Sequence, residues 1–406
     1  MKFVDFPFQL YKHSSYWIPP MRNDEFNAML PEKNPSLIES DFSYWLVLKN
    51  ETVVGRVAGY INRRDNKLRD RKASRFGSID FVDEPLVCKL LLDQVEDWSK
   101  SMGMTQIDGP LGPGHFDRNC ILIDGFEELP TVISSYNYPY YSNYIEACGY
   151  FKEVDYLEHR IRISGEPDRR IEKISSYVLK KKNLSIWPVP SKQELMKRGK
   201  EFFELINEAY SGLHDFVPLN EAEINYLIDH FFSYINPEFV KIVIDSNNKM
   251  VAAGIAMESF SEAMQACEGR LFPLGWLKII LKMRKNDVLD LCLVAVGSKF
   301  RNQGLNSVLM HEMHKSAIRK GLKWAETNGE LETNSEILEM WKGYDFKTHK
   351  RRRIYTKSCF CLLAKFVPYT LQRIRHQARP RSPSCRVKYQ KTFHIVACLH
   401  TFSKLT

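Results

Sequence analysis

One segment constrains the fold of this chain more than any other: an apolar strand that leads through a short turn into an amphipathic helix. The strand is predicted over Val288–Val296, and Gly304 lies in the turn after it. The following helix has an apolar face with the i, i+3, i+4 spacing of a helix packed on a sheet, and Gly321 ends it as a C-cap. That face consists of Leu305, Val308, Leu309, Met313 and Ala317. A buried strand followed by a packed helix predicts an α/β fold.

The turn before this helix has the chemistry of an anion site. The first N–H groups of a helix have no helical partner and carry the positive end of its dipole, so a phosphate is stabilised there. Gly304 allows a close approach to the backbone. The pattern therefore predicts a pyrophosphate cradle, formed by Val294, Ala295, Val296, Arg301, Asn302, Gln303, Gly304, Leu305, Asn306 and Ser307.

Arg301 and Gly304, spaced as Arg-x-x-Gly before a helix, resemble the coenzyme A loop of the GNAT acyltransferase superfamily. The superfamily has Gly or Ala two residues after the glycine, where this chain has Asn306. A later segment has the spacing of the superfamily motif Asn-x-x-Ala-x-x-x-Tyr-x-x-x-Gly-Phe, with matches at Asn334 and Phe346. The resemblance implies that acetyl-CoA or another acyl-CoA is the co-substrate, and that Asn334 belongs to its site.

Trp341 occupies the motif position at which superfamily members carry a tyrosine that protonates the departing thiolate. An indole has no proton to give near neutral pH. Tyr344 lies one helical turn further on the same face and is the candidate replacement. The alternative is that Tyr344 only closes the helix onto the core.

Two further candidate residues for proton transfer are Asp290, on the strand before the cradle, and Glu326, after the next strand. Both would lie near the point where two parallel strands separate, within reach of an attacking amine. Buried structural acids are the alternative reading for both. Glu330 and Glu332 follow nearby and are further candidates, for which solvated loop acids are the favoured interpretation.

The same order of predicted strands and helices occurs twice along the chain. In each half, a predicted hairpin precedes a strand, a crossover helix and a second strand. We therefore expect two tandem GNAT-like acyl-CoA N-acyltransferase folds, each with its own mixed sheet flanked by helices. Their bounds are residues 1–163 and 184–357, joined by a linker at 164–183 and followed by a basic, non-domain tail at 358–406.

Only the second half has the phosphate turn. In the first half Asp83 and Glu84 occupy the matching place, where two carboxylates would repel a pyrophosphate. The first half has instead a loop rich in Gly and Pro at residues 109–126. The order of this loop and its neighbouring segments along the chain resembles that of a group of bacterial tandem GNAT-like proteins. Membership in this group implies the fold and an acyl-CoA donor, but it does not identify the acceptor.

The loop contains His115, Asp117 and Arg118, which we expect to hold the loop or contact substrate rather than bind a metal. Aromatic residues follow, and they either line an acceptor cleft between the halves or pack in the core. They are Tyr136, Tyr138, Tyr140 and Tyr141. We expect a small-molecule or amine acceptor in that cleft, and no metal.

The net charge of +9 belongs to the tail. Residues 358–406 hold nine of the 58 Lys and Arg residues and no Asp or Glu, so residues 1–357 contain 49 basic and 49 acidic residues. A neutral body gives no reason to expect nucleic acid as a partner. The tail has no clean helix or strand pattern, and a basic arm for nucleic acid or membrane is its less favoured interpretation.

No window of 18 uncharged apolar residues occurs, and the chain start lacks a signal-peptide pattern, so a cytoplasmic location without a transmembrane segment is expected. The apolar insertion at 271–284 has three interpretations: a lid over an acyl chain, a membrane-surface helix, and a packed helix with snorkelling lysines, which is favoured. The sequence leaves the oligomeric state undetermined.

These patterns together predict an acyl-CoA-dependent N-acyltransferase with an unidentified amine acceptor. The alternative is a degenerate GNAT fold that binds coenzyme A or a partner without catalysis, supported by Asn306 and Trp341.

Overall fold

The computed structural model describes residues 2–213, 215–232, 234–359 and 393–401. Within those ranges one continuous sheet of fourteen strands forms the centre of the molecule. The strands are β1 Ser40–Lys49, β2 Thr52–Asn62, β3 Ala73–Phe81, β4 Gln106–Gly109, β5 Ile121–Asp124, β6 Phe151–Arg162, β7 Ser185–Trp187, β8 Val240–Ile244, β9 Met250–Glu258, β10 Val288–Val296, β11 Trp324–Thr327, β12 Glu330–Leu331, β13 Phe346–Ser358 and β14 Phe393–Thr401.

Helices pack on both faces of this sheet. They are α1 Lys2–Leu10, α2 Arg22–Asn27, α3 Arg63–Arg69, α4 Pro85–Ser101, α5 Tyr140–Ala147, α6 Arg169–Lys182, α7 Lys192–Lys197, α8 Gly199–Tyr210, α9 Glu221–Leu227, α10 Ser261–Cys267, α11 Gly275–Met283, α12 Leu305–Arg319 and α13 Ser335–Trp341. Short 3-10 turns lie at Pro35–Leu37, Pro237–Phe239 and Ser298–Phe300, and a π turn lies at Ile228–Phe232.

The elements with strong local signals are confirmed. The strand predicted over Val288–Val296 is β10, and the five apolar positions of the helix after Gly304 are buried under α12. The first hairpin turns at Asn50 and Glu51, whose φ angles of 49° and 65° are those of a two-residue turn that matches the twist of a hairpin. The two repeated halves are therefore present, each with its hairpin, strand, crossover helix and strand.

The two halves exchange their longest strands. The sheet order is β14-β1-β2-β3-β4-β13-β6-β11-β10-β9-β8-β7, with β12 beside β6 and β5 beside β13. The strand β13, from the second half, thus lies between β4 and β6, while β6, from the first half, lies between β13 and β11. The expectation of a separate sheet for each half is wrong, because β6 and β13 pair along residues 151–161 and 346–356 and merge the two.

Both connecting segments contain regular structure, and the helix in the linker agrees with the helix-prone sequence of residues 171–182. The linker contains α6, which packs along α12. Part of the basic tail, at 393–401, forms β14 and pairs with β1, so the absence of a strand pattern there was misleading. The rest of the predicted tail, residues 360–392 and 402–406, lies outside the described residues.

The insertion at 271–284 forms α11, but the favoured interpretation of a packed helix is wrong. Almost every side chain from 271 to 285 is exposed, including most of the large apolar ones. Among the described residues, no helix combines the length and the apolar character needed to cross a bilayer.

Candidate functional site

The second half contains an open gap in the sheet between β10 and β11. These strands pair in parallel only along residues 288–291 and 324–327, and beyond that point β10 keeps only its other neighbour, β9. A bulge at Cys292 interrupts the pairing with β9 where the gap begins. Residues 291–294 are only half-buried although β10 is an interior strand, so the gap is accessible from outside.

Two N–H groups of β10 face this gap. Consecutive residues of an antiparallel strand direct their backbone groups to opposite sides. The Gly297 N–H donates to a β9 carbonyl (2.9 Å), so the N–H of Ala295 also faces β9, whereas those of Val294 and Val296 face the gap. The Val294 carbonyl accordingly accepts a hydrogen bond from the Tyr210 hydroxyl of α8 (3.1 Å) rather than from a strand. Of the three predicted strand residues, Val294 and Val296 can therefore donate to a ligand.

The turn after β10 leaves the start of α12 free for an anion. Gly304 adopts φ 82°, and none of the described side chains caps the helix. The first helical hydrogen bond runs from the Val308 N–H to the Gly304 carbonyl (3.2 Å), so the N–H groups before it have no helical partner. A Cβ at residue 304 would lie 3.1 Å from Val178 of α6, so both the φ angle and the space favour glycine. These observations fit the predicted cradle.

The other predicted cradle residues surround this turn. The exposed Arg301 donates from its guanidinium to a carbonyl at the end of α8 (2.5 Å), and the Gln303 amide donates to a carbonyl of the preceding 3-10 turn (2.7 Å). Asn302 is exposed and also left-handed, with φ 57°. Leu305 is buried beneath the helix, while Asn306 and Ser307 are half-buried.

The equivalent place in the first half is filled. There β3 pairs with β4 only along residues 73–75 and 106–108, which leaves a similar gap. The Tyr141 hydroxyl accepts from the Phe81 N–H (3.0 Å), and the Tyr140 hydroxyl donates to the Phe81 carbonyl (2.7 Å). The helix α4 begins with Pro85, which has no N–H, and the carboxylate of Glu84 lies beside it. The first half therefore lacks the free donors that α12 offers.

Asp290 and Glu326 occupy paired positions on β10 and β11, on the sheet face opposite α12. Burial, reinforced by the Glu326 carboxylate, raises the pKa of Asp290 to about 8. Neither Asp290 oxygen has a hydrogen-bond partner of normal geometry in the described part of the chain. Burial also raises the pKa of Glu326, although Lys350 and Arg160 partly offset this effect. The two predicted acids thus form one coupled pair beside the gap.

Lys350 connects this pair to the centre of the sheet. Its fully buried Nζ lies 3.4 Å from carboxylate oxygens of both Glu326 and Glu158. Burial raises the pKa of Glu158, but Arg352 and Lys350 more than offset it, so the net direction is down. Lys350 and Arg352 come from β13, and Glu158 comes from β6. The charges at the site therefore depend on both exchanged strands.

Sequence reasoning missed this network. Residues 347–353 form a run of charges that is typical of a solvated strand, and only knowledge of the partner strand shows that alternate members are buried. Lys350 and Arg352 are two residues apart and therefore lie on the same face of the strand, and this spacing is the sequence signal that could have indicated a shared buried site.

Glu330 also differs from expectation, because it is not a solvated loop acid. The Trp341 indole N–H donates to its carboxylate (2.8 Å), and the His159 Nε2 lies 3.4 Å from the same oxygen. Burial raises the pKa of Glu330 to about 7, even though the indole hydrogen bond lowers it. Glu332, in contrast, pairs with the partly exposed Lys152 (2.6 Å). Glu330 is thus the hydrogen-bond partner of Trp341, the residue at the motif tyrosine position.

Tyr344 packs edge-on against Trp341, with 5.6 Å between ring centroids, at the edge of the apolar cluster beneath α12. Burial raises its pKa to about 12. It lines a small cavity of about 40 Å³ together with residues of β10, β11 and α12. Asn334, at the start of α13, is half-buried and makes no side-chain cap.

The four tyrosines of the first half contact its hydrophobic clusters, which agrees with the core interpretation. Tyr141 is buried in the core, and Tyr140 packs against that core. Tyr136 lines a large cavity. In the loop before them, the Asp117 carboxylate accepts from the Gly114 N–H (2.6 Å), and Arg118 pairs with Glu25 (3.1 Å). Across the described ranges, no group of three or more His, Cys, Asp or Glu side chains is arranged to hold a metal ion.

The repeated halves, the splayed central strands and the glycine turn define the tandem GNAT fold. A tandem GNAT protein from the clavulanic acid biosynthesis pathway is similar in structure, with a TM-score of 0.52 and 10% identity over 88% of this chain and 94% of that one. A GCN5-related glucosamine N-acetyltransferase region of a fungal multi-domain GH3 β-N-acetylglucosaminidase also has a TM-score of 0.52, at 12% identity over 87% of this chain and 37% of that one.

Two curated proteins are similar over nearly the whole chain. Protein YghO of Escherichia coli is 26% identical over 87% of this chain and 92% of its own length. The bacterial ceramide synthase of Caulobacter vibrioides is 25% identical over 88% of this chain and 94% of its own. No protein-family model matches the chain.

Proposed function

We propose that this protein is an acyl-CoA-dependent N-acyltransferase whose donor site lies in its second half. The observation that carries this proposal is the gap between β10 and β11, which ends at the uncapped start of α12. The N–H groups at the start of α12 would hold the pyrophosphate, and Arg301 would add positive charge beside it. Bound acyl-CoA would supply an acyl group activated as a thioester.

The backbone of β10 would stabilise the charge that develops on the acyl oxygen. The N–H groups of Val294 and Val296 face the gap and are fixed by the ladder to β9, so they need no rearrangement to donate. The hydrogen bond from Tyr210 to the Val294 carbonyl holds the same stretch of backbone in place.

Asp290 is the proposed base for the attacking amine. A carboxyl with a pKa of about 8 is a strong enough base to accept a proton from an ammonium group and is partly ionised near neutral pH. Glu326 is the second candidate, and its carboxylate maintains the raised pKa of Asp290. For the departing thiolate, Tyr344 remains a candidate acid, and Glu330, with a pKa of about 7, is the other.

The class of acceptor is suggested by one relative. A ceramide is a long-chain amino alcohol acylated on nitrogen, so the relative named as a ceramide synthase indicates a long-chain amine. We propose such an amine as the acceptor, approaching between the two halves on the face of Asp290 and Glu326. The reaction would occur in the cytoplasm, where acyl-CoA is available.

The test is an assay of thiol release from acetyl-, malonyl- and long-chain acyl-CoA with a long-chain amino alcohol, with the N-acyl product identified by mass spectrometry. Release that depends on the acceptor is expected, and Asp290→Asn should lower it by about 100-fold or more. The matched control is Asp93→Asn, which changes an exposed acid on α4 and should leave the rate unaltered. An unaltered rate in Asp290→Asn would remove that residue from the mechanism.

The alternative function is a coenzyme A-binding module without catalysis. Two observations favour it: Trp341 replaces the motif tyrosine, and Asn306 replaces a small residue in the cradle. Coenzyme A binding without turnover for any donor and amine would support this alternative.

A further inference from the structure

The first half contains a cavity of about 400 Å³ that the proposed reaction does not use. Its walls come from α1, α2, β2, β3, the loop that follows β4 and residues 132–137, with Tyr226 as a contribution from the second half. The apolar part includes Trp17, Met29 and Tyr136, and the polar part includes Asp117. The cavity reaches β3, which is five strand spacings from β10 in the sheet order, or roughly 24 Å. Another part of its wall, Ser134 and Ser135, hydrogen-bonds to Glu158 and Arg352, so the cavity borders the charge network, but its lining includes no residue of the gap that would hold the donor.

The charged side chains around this cavity include one half-buried carboxylate, that of Asp117, without an ion pair among the described residues, while the Asp24 carboxylate, which also lines the cavity, is exposed. Arg56 is bound to Asp80 (2.7 Å), and Arg118 is bound to Glu25 (3.1 Å). Asp117 has no ion pair within 4.0 Å and accepts a single hydrogen bond, from the Gly114 N–H, among the described residues. Asp117 is half-buried, and a carboxylate that is partly withdrawn from water is less stable without a partner.

The loop is built around this carboxylate. A Cβ on Gly112 would lie 2.2 Å from the Asp117 Cβ, and one on Gly114 would lie 3.2 Å from its Oδ2. Both glycines therefore make room for Asp117 in the cavity wall. Burial raises its pKa to about 6, although the Gly114 N–H and Arg75 lower it, so a nearby cation would favour its ionised form.

We propose that this cavity binds an amphipathic ligand with one ammonium group, which pairs with Asp117 while its apolar body contacts Trp17, Met29 and Tyr136. The volume lies within the range of small-molecule sites. Because the lining of the cavity includes no residue of the donor gap, ligand binding there can be measured without the proposed reaction.

The test is calorimetric titration of the full chain with octylamine and with octanol, which share an alkyl chain but differ in charge. Octylamine should bind, octanol should bind at least tenfold more weakly, and Asp117→Asn should reduce octylamine affinity by tenfold or more. Should Asp117→Asn fold poorly, Ala28→Trp fills the cavity from the exposed side of its wall and should also abolish binding. Equal affinity for octanol, or unchanged octylamine affinity in a folded Asp117→Asn, would overturn the proposal. Coenzyme A binding should be unaltered in both variants.

A second, independent observation concerns the hairpin formed by α10 and α11. Phe272, Leu274 and Leu281 are 81%, 60% and 51% exposed, and four further large apolar side chains of the segment are exposed with them. These four are Leu271, Trp276, Leu277 and Ile280. Soluble surfaces rarely present so many adjacent apolar side chains without a partner.

The charges beside this apolar surface have one sign. Lys278, Lys282 and Lys285 follow at i, i+4 and i+7 and form a row next to that of Leu274, Leu277 and Leu281. Residues 269–286 contain no Asp or Glu, whereas the chain up to residue 357 is neutral overall. One basic side chain, Lys282, is paired with Glu262 (3.0 Å), an exposed contact that contributes little. An apolar face flanked by lysines is complementary to an anionic bilayer surface.

We infer that α11 docks the protein on anionic membranes, with its apolar face in the headgroup region. The test is co-flotation with vesicles of phosphatidylcholine alone and with vesicles that also contain the anionic lipid phosphatidylglycerol. Binding to the anionic vesicles only, reduced by salt and abolished in Leu277→Asp/Leu281→Asp, is expected. Ile38→Asp changes an even more exposed apolar residue elsewhere, and this variant should bind as the unmodified chain does. Persistent flotation of the double variant, or none with the unmodified chain, would overturn the inference. Vesicle binding is measured without donor or acceptor, so it is independent of the proposed reaction.

Discussion

The two halves of this molecule share a fold but differ in the gap between their central strands. In the second half the gap is accessible, and the helix behind it starts with free N–H groups. In the first half two tyrosines occupy the gap, and a proline and a glutamate stand at the helix start. The comparison teaches that both halves can keep one architecture while only the second keeps an open gap and a free helix start, the features that the proposed acyl donor requires.

The loss in the first half does not make it dispensable. Its strand β6 lies between β11 and β13, and it provides Glu158 to the charge network that also holds Glu326. The site of the second half is therefore incomplete without the first. Separate variants can test the β6–β13 connection between the halves, the acids of the proposed site and the edge of the sheet.

The largest effect is expected where the paired strands β6 and β13 connect the two halves. Lys350→Met leaves the carboxylates of Glu158 and Glu326 without their shared buried cation, so the free energy of unfolding should fall by about 3–5 kcal/mol. Chemical denaturation measures this, with Lys347→Met on the same strand as an exposed control that should change it by less than about 0.5 kcal/mol. Equal effects of the two substitutions would show that the network does not join the halves.

The next effect is a pH dependence of stability that Asp290 should produce, at a higher pH than the raised pKa of Asp117 in the first half, about 6. The folded pKa of Asp290, about 8, is above the ordinary value of about 3.9, so the folded chain binds this proton more tightly than the unfolded chain. The contribution of Asp290 to stability is therefore greatest below about pH 4 and is lost as the pH rises towards 8. Asp290→Asn should lose less melting temperature between pH 5 and pH 9 than the unmodified chain, whereas Asp93→Asn should follow the unmodified curve.

A smaller effect is expected at the candidate acids. If Tyr344 protonates the thiolate, Tyr344→Phe should slow turnover by about tenfold without weakening donor binding, and Trp341→Tyr should be neutral or mildly activating. If Glu330 has that role, Glu330→Gln should cause the loss instead. Steady-state rates of the three variants distinguish these cases. Full activity in both Tyr344→Phe and Glu330→Gln would mean that the thiolate leaves without a side-chain acid.

The smallest effect is expected at the outer edge of the sheet. Ending the chain after Cys359 removes β14, whose residues 394–397 are exposed and which pairs only with β1. Unfolding should remain cooperative, and stability should change by about 1 kcal/mol or less. A broad, non-cooperative melt would show that the tail completes the core of the first half.

Local patterns were sufficient for the elements that carry the donor site. The apolar run of β10 and the helical spacing after Gly304 depend on neighbours within a few residues, and both were predicted with little error. The strand exchange was not predictable in this way. Asp155 and Arg353, which pair across β6 and β13 at 2.8 Å, are 198 residues apart, and no local signal specifies such a partner.

The same limit applies to individual side chains. Asp290 and Glu326 were candidates because their strands were recognised, but the burial of Glu330 depends on the approach of Trp341 from α13. The exposure of α11 could not be predicted either, because an amphipathic pattern is the same whether its apolar face meets a core or a membrane.

The central claim is that one of two similar halves binds the acyl donor, and the stoichiometry of coenzyme A binding tests it most directly. Calorimetric titration of the full chain should give one molecule of coenzyme A per chain. Gly304→Glu, which brings a carboxylate to the start of α12, should abolish that binding, whereas Glu84→Gln at the start of α4 should leave it unchanged. Two molecules per chain, or unchanged affinity in Gly304→Glu, would contradict the account.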